Sequence, residues 1–310
     1  MADRIDLKVG FACNNHCHFC VQGDKRLKWG AKPVAELRQV LEEGRPAADG
    51  LVFTGGEPTL RRDLPDLIAY ARELGYKTIQ IQSNGRMFAH KGYCKLVIER
   101  GANEFSPALH GHLAALHDYL VAAPGAWSQT VQGIRNLKSL GQYVLTNSVI
   151  TKSNFRHLPE LARLLTALGV DQFQFAFVHP TGTAGKEFSA VVPRMAMAAP
   201  YLMQALRLGQ GAGRRVTTEA VPYCILPGYE DCVVEKYIPR TAVFDAECII
   251  ADYTKYRHEE GKAKGPDCRH CKFDVDCEGP WREYPERFGW EEFRPVHRAA
   301  AAKKARSAAR

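Results

Sequence analysis

The feature that most constrains this chain is a repeated alternation of strand-like and helix-like segments from residue 5 to about residue 180. Ile5–Phe11, Leu51–Thr54, Lys77–Gln82, Asn103–Leu109, Tyr143–Ile150 and Gln172–Val178 read as strands. Between them, Pro33–Glu43, Leu64–Leu74, Tyr93–Arg100, Trp127–Leu140 and Leu158–Leu168 read as helices, each followed within a residue or so by a glycine stop. Strands that alternate with helices of this length require right-handed crossovers and a parallel sheet, so the fold class is α/β. Six βα-type units are expected, the last strand lacking a clear following helix.

The unusual residues sit just after strands. They are the cysteine loop after residue 11, Gly55-Gly56-Glu57-Pro58, Ser83-Asn84-Gly85, His110-Gly111-His112 and His179-Pro180. Turn chemistry accounts for the glycines, asparagines and prolines. It does not account for so many titratable and metal-binding groups on one rim, and in parallel barrels that rim carries the chemistry.

Ten cysteines are many for a chain of 310 residues, and six fall into two tight groups at opposite ends of it. No secretory signal region precedes the first group, so a cytoplasmic location is expected, and there clustered cysteines point to metal or redox chemistry rather than disulfides. No run of some eighteen apolar residues is present, so no membrane span is expected. The net charge is +8, but residues 297–310 carry five Lys or Arg and no acid. A solvated basic tail explains most of the excess, which makes nucleic acid an unlikely partner on charge grounds.

Cys13, Cys17 and Cys20 stand in a CxxxCxxC loop. Three thiolates on one short loop can each bind a separate iron of a [4Fe–4S] cubane, leaving the fourth iron free to chelate a ligand. The absence of a second nearby CxxC argues against a zinc ribbon. The loop, with Phe19 before its last cysteine, and the GGEP run at Gly55–Pro58 resemble the radical S-adenosylmethionine superfamily.

The resemblance covers residues 5 to about 180 and implies a partial (βα)₆ TIM-like barrel. It implies that Cys13, Cys17 and Cys20 hold the catalytic cluster, and that Gly55, Gly56 and Glu57 bind the amino group of S-adenosylmethionine. Ser83 and Asn84 would contact its ribose or carboxylate. The chemistry implied is reductive cleavage to methionine and a 5′-deoxyadenosyl radical, fed by a reductant such as flavodoxin or ferredoxin.

Cys268, Cys271 and Cys277 resemble the end of the cysteine-rich auxiliary-cluster extension, called SPASM or twitch, that follows many such barrels. The fuller pattern has a further cysteine where this chain has Trp281. That departure favours one auxiliary [4Fe–4S] cluster, whose fourth ligand, if any, comes from Cys224, Cys232 or Cys248, with Cys224 and Cys248 preferred; the other reading of this cluster is an open iron that binds substrate. A structural zinc site is the alternative. Cys94 reads as a buried apolar residue. The implied organisation is a barrel over 1–192, a helical connection over 193–212, the extension over 213–296 and a basic tail over 297–310.

His110 and His112 are read either as substrate contacts or proton donors or as loop hydrogen-bonding residues. His16 and His18 could tune the cluster or lie in solvent, and His179 is placed to reach the adenine region. The substrate is a small molecule or a peptide. The short stretch before the cysteine loop leaves no room for a peptide-recognition domain, which favours a small molecule. An RNA-modifying radical enzyme and a zinc-binding nucleic-acid or regulatory protein are the alternative readings.

Overall fold

The computed structural model describes residues 3–246 and 248–297. Apart from His297, the basic tail lies outside the described residues. Nine strands form one sheet: β1 (Arg4–Lys8), β2 (Gly50–Thr54), β3 (Thr78–Ser83), β4 (Glu104–Pro107), β5 (Tyr143–Ile150), β6 (Gln172–Phe177), β7 (Arg215–Glu219), β8 (Thr241–Phe244) and β9 (Ile249–Ile250). Their order is β7-β6-β5-β4-β3-β2-β1-β8-β9, and every pairing is parallel except β8 with β9. The two edges of the sheet do not pair, so the barrel is open.

The first six strands are those expected from the sequence, shifted by a few residues at their ends. Three more join them. The helix Met195–Gly211 follows β6 and leads back to β7, which extends the parallel series on one edge. On the other edge β8 lies parallel to β1, with Arg4 opposite Thr241.

Alternation along the strands separates two environments. Ile5, Leu7, Leu51, Phe53, Ile79, Ile81, Phe105, Phe173 and Phe175 are buried. They belong to one core with helix residues such as Leu37, Leu41, Leu67, Ile134, Leu161 and Leu202. The other face carries polar groups among aliphatic ones. Asp6, Val52, Gln80 and Glu104 stand in register across four strands, as do Asn147, Gln174 and Thr217 across three. Gln80 donates to Glu104 at 3.0 Å, and Gln174 to Glu219 at 2.7 Å. This concave face therefore mixes hydrogen-bonding and charged groups with aliphatic ones such as Val52, Leu145 and Val149.

The open edge is bridged by ions. The Arg257 guanidinium, fully buried, makes a two-pronged contact with Glu278 at 2.8 and 3.0 Å. Lys262 reaches both Glu278, at 3.0 Å, and Glu235, and Glu235 in turn accepts from the backbone N–H of Ala220 at the end of β7, at 2.7 Å. Burial opposes ionisation of Glu278, but the cations outweigh it and hold its carboxyl below the usual range.

Removing one member of a buried ion network strands its partner. Arg257→Met is expected to lower the unfolding free energy by about 3–5 kcal/mol near neutral pH. Because the Glu278 pKa is depressed on folding, its share of stability is present above about pH 4.3, its unfolded value, and fades as pH falls further. Denaturant titrations at pH 7 and pH 4 check both statements; a loss below about 1 kcal/mol at pH 7 would refute the first.

Candidate functional site

The cysteine loop leaves β1 and is held against the end of β2 by backbone contacts. The N–H groups of Gly56 and Glu57 donate to the carbonyls of Gly10 and Ala12, both at 2.8 Å. A Cβ on Gly55, whose φ is +127°, would lie 2.2 Å from the Gly10 oxygen. One on Gly56 would lie 2.3 Å from the Ala12 oxygen and 2.5 Å from that of Phe11. The two glycines thus answer a close approach of two chain segments.

Glu57 is buried, and both oxygens of its carboxylate accept hydrogen bonds. It accepts from the Thr59 N–H at 3.0 Å and the Thr59 hydroxyl, from the Ser83 hydroxyl at 2.8 Å and from the Asn84 N–H at 2.6 Å. Burial pushes its pKa up, while these donors oppose the shift. The side chain expected to face a ligand ammonium also ties β2 to β3, with Oε1 taking three of the donors and Oε2 only the Asn84 N–H. Asn84 extends the tie by donating from its amide to Asn14 Oδ1 at 2.6 Å.

Further anchors surround the loop. Arg86 donates to the Asn14 carbonyl at 2.6 Å and to the Asn15 side chain at 2.9 Å. The His16 and His18 N–H groups donate to the carbonyls of Val121 and Leu120 at 2.8 and 3.1 Å. The Thr183 N–H donates to the Cys20 carbonyl at 2.9 Å, and the Arg26 guanidinium to the Cys13 carbonyl at 3.1 Å. Phe19 is buried with its ring edge-on to His110, 4.7 Å between centroids.

Within this frame Cys13, Cys17 and Cys20 are half-buried and unbridged. Burial raises the pKa of Cys13 and, more strongly, of Cys17. Each feels the other thiols as well, and Arg26 opposes both shifts. The Asn15 N–H points at Cys13 Sγ, 3.4 Å away. Three clustered thiols that need a cation to ionise, with a backbone donor on one sulfur, fit the donor set of an iron–sulfur cluster bound through three of its irons.

His110 lies at the end of β4, buried. Its Nδ1 accepts from the Val149 N–H at 3.1 Å, and its own N–H donates to Nδ1 of His117, also at 3.1 Å. Burial lowers the pKa of both rings, that of His117 to about 4. They serve as neutral struts for the loop after β4. His16 is exposed, and His18 faces Glu187 at 3.7 Å. His179 stacks on Trp281 with 3.8 Å between ring centres and faces Glu283 at 3.5 Å.

The second cysteine group lines a cavity. Cys268, Cys271 and Cys277 share it with Cys224, walled by Tyr223 and Phe273 among others. The structure separates the two preferred fourth ligands: Cys224 faces this cavity, and Cys248 is exposed beside β9 and does not line it. Cys232 is buried elsewhere, accepting from the Gln210 amide at 3.2 Å. Burial pushes the Cys224 thiol up to about 12 and raises Cys268 and Cys277 too. The Val296 N–H donates to Cys271 Sγ at 3.3 Å. Among the described residues no three His, Cys, Asp or Glu side chains close on one point as a single ion would need.

The sequence reading passed over the junction between barrel and cysteine cavity. Arg257 Nη1, Glu235 Oε2 and Trp281 Nε1 are buried there without a hydrogen-bond partner. Lys262 links the three residues, bonded to Glu235 and lying 5.1 Å from the Trp281 ring centre. Buried orphans of this kind mark a place where a ligand or water completes the bonding. The only sequence signal was the density of charged and aromatic residues in the extension.

An open parallel barrel with a three-thiol loop at the carboxyl end of its first strand defines a class of cluster-bearing α/β proteins. The model of the Radical SAM superfamily matches residues 7–165, and the chain belongs to that superfamily, which uses a [4Fe–4S] cluster and S-adenosylmethionine. An AdoMet-dependent heme synthase of Oleidesulfovibrio alaskensis is 31% identical over 193 residues, covering 61% of this chain and 48% of that protein. A probable GTP 3′,8-cyclase of Sulfolobus acidocaldarius is 30% identical over 191 residues, 59% and 58% of the two chains. The chain thus spans about half the length of the curated relatives it matches. In fold it is similar to Streptococcus suis SuiB bound to S-adenosylmethionine, with a TM-score of 0.64, 15% identity and coverage of 90% and 73%. No helix among the described residues is long and apolar enough to cross a membrane.

Two outcomes follow from this geometry. Gly56→Ala is expected to destabilise the protein by about 2–3 kcal/mol and to lower iron bound at the first loop, because the facing Ala12 carbonyl cannot retreat without breaking its bond to the Glu57 N–H. Calorimetry and iron analysis check it. The depressed pKa of His117 means that the unfolded chain binds more protons between about pH 6.5 and pH 4, so stability drops as pH is lowered across that window. His117 contributes a slope of up to about 1.4 kcal/mol per pH unit there. His117→Gln keeps an acceptor for the His110 N–H and should remove that part of the slope; an unchanged slope would show that His117 does not titrate on unfolding.

Proposed function

We propose that this chain is a radical S-adenosylmethionine enzyme with a second, auxiliary [4Fe–4S] cluster, acting on a small polar molecule held in the open barrel. The observation that carries the reading is the set of three thiols on a single loop braced by four neighbouring segments, with no fourth cysteine on the loop. When bound, the cluster supplies one electron to the sulfonium of S-adenosylmethionine, releasing methionine and a 5′-deoxyadenosyl radical that takes hydrogen from the substrate.

The protein's part is to hold and orient. The loop anchors fix the three thiolates at the mouth of the barrel, within reach of Ser83 and Asn84 at the end of β3. Backbone groups of the Gly55–Gly56 turn and Glu57 Oε2, which takes only the Asn84 N–H, are the contacts for the ligand's amino group. The polar groups of the inner face and the unpartnered Arg257, Glu235 and Trp281 atoms offer the substrate donors and an acceptor deep in the structure. The names of the heme synthase and GTP cyclase relatives point to small-molecule substrates. A peptide is the second reading, supported by the fold's likeness to SuiB in complex with its precursor peptide SuiA, at a TM-score of 0.61. A reductant such as flavodoxin or ferredoxin supplies the electron.

Four thiols spread round one cavity suit a group with several iron corners better than a single zinc ion, whose ligands would sit about 2.3 Å from one centre. Cys268, Cys271, Cys277 and Cys224 are therefore the ligands of the auxiliary cluster. Anaerobically reconstituted protein should carry about eight irons, in two clusters of four. Cys224→Ala should destabilise the auxiliary cluster and lower the iron content, and Cys248→Ala should leave it unchanged. Replacing Cys13, Cys17 and Cys20 together should abolish 5′-deoxyadenosine formation with dithionite. A colourless protein that retains one or two zinc ions would sink the proposal.

A further inference from the structure

The segment just after the last cysteine of the catalytic loop carries an exposed patch that no role so far explains. Leu27 is 88% exposed, Val21 48% and Trp29 43%. Large apolar side chains this exposed and this close in sequence are a mark of an interaction surface. They are interleaved with cations: residues 21–32 hold Lys25, Arg26, Lys28 and Lys32 against the single acid Asp24.

Pairing sharpens the pattern. Lys25 binds Asp245 at 2.9 Å, Lys32 binds Glu36 at 3.2 Å, and Asp24 is taken by Lys186 at 2.7 Å. Among the described residues Arg26 and Lys28 form no ion pair. The patch therefore presents Leu27 between two cations that make no ion pair among the described residues. It also abuts the redox centre: the Arg26 guanidinium donates to the carbonyl of Cys13, and its charge is felt by both Cys13 and Cys17.

We propose that Val21, Leu27, Lys28 and Trp29 form the docking surface for an acidic, low-potential one-electron carrier protein that reduces the cluster held by Cys13, Cys17 and Cys20. The inference rests on the radical S-adenosylmethionine reading. The step is one electron passing from the reduced carrier, which is oxidised by one electron, to the cluster; no bond is made and no proton moves.

The chemistry of the surface selects this occupant. Redox encounters are small and brief, so a patch of a few exposed apolar residues suffices where a stable dimer would need much more area. Unpaired cations beside it steer an acidic partner and speed its arrival. A second copy of this chain fits badly, because a two-fold contact would set Lys28 against Lys28 between two chains of charge +8.

The test compares two reductants on the same reconstituted, full-length protein. 5′-Deoxyadenosine formation is measured with flavodoxin, reduced by NADPH and flavodoxin reductase, and separately with dithionite, which needs no docking. In Leu27→Asp and Lys28→Glu the flavodoxin-driven rate should fall roughly tenfold through a raised KM for flavodoxin, and more salt should weaken the wild-type reaction with flavodoxin. The dithionite-driven rate should be unchanged. Equal flavodoxin rates in wild type and variants would overturn the proposal. A matching loss with both reductants would also overturn it, assigning the segment to loop folding, as would a change of oligomeric state in Leu27→Asp by sedimentation. Wild type inactive with dithionite would instead remove the radical reading on which the proposal stands.

Discussion

Everything at the rim depends on the contact between the turn after β1 and the turn after β2. Two backbone hydrogen bonds, from Gly56 to Gly10 and from Glu57 to Ala12, bring the chain segments so close that a single methyl group on either glycine would meet a carbonyl oxygen. This approach fixes where Cys13 emerges. It also buries Glu57, and a buried carboxylate is stable only when its lone pairs are satisfied. Thr59, Ser83 and Asn84 satisfy them, so the packing of β1 on β2 dictates the structure at the end of β3. Asn84 and Arg86 then return to Asn14 and Asn15, closing a circuit of hydrogen bonds round the thiol loop.

A second constraint comes from leaving the barrel open. A closed sheet has no edges, whereas β7 and β9 each leave an edge that must be managed. The chain does so with charge. Glu278 follows Cys277 directly, so the ion network that bridges from the cysteine cavity to the end of β7 also sets the position of one cavity wall. Arg257 enters it from a turn of π-helix, Arg257–Gly261, an irregularity that re-aims a side chain inward. The ion network and the cysteine cavity thus share a wall, because Glu278 belongs to the first and Cys277 beside it to the second.

The parts of the fold that were legible in the sequence are those with local signals. The helices starting at Val34, Leu64, Lys91, Ala126 and Leu158 have apolar periodicity and glycine stops, and the strands between them alternate. The parts that were not legible lack those signals. The helix Ala114–Val121 begins after Leu113, which offers no side-chain cap, and ends at Ala122 with φ +46°. β7 ends likewise at Ala220, with φ +59°. These are the two non-glycine residues with positive φ among the described residues, and in both the break is imposed by tertiary bonds rather than announced by residue type. Strand β8 is four residues long and finds its partner β1 more than 230 positions away, which no local pattern records. The same limit applies to Glu57: its residue type named a charge, but its partners sit on another strand, so its part in tying strands together was hidden.

The two cysteine groups differ in a way that bears on what each can do. The first is three thiols on one loop, held from all sides through backbone carbonyls and amides, so its geometry is set before any metal arrives. The second gathers one thiol from residue 224 and three from 268–277 round an apolar cavity, so it depends on two distant segments meeting. A set of three leaves one corner of a cubane open to a ligand, and its rigid frame can aim that ligand. A set of four, as proposed for the second group, would leave no such open corner. The first loop draws its support at once from the ends of β2 and β3 and from the segments at Leu120–Val121 and Thr183, whereas the second group stands beside the ion network through Glu278.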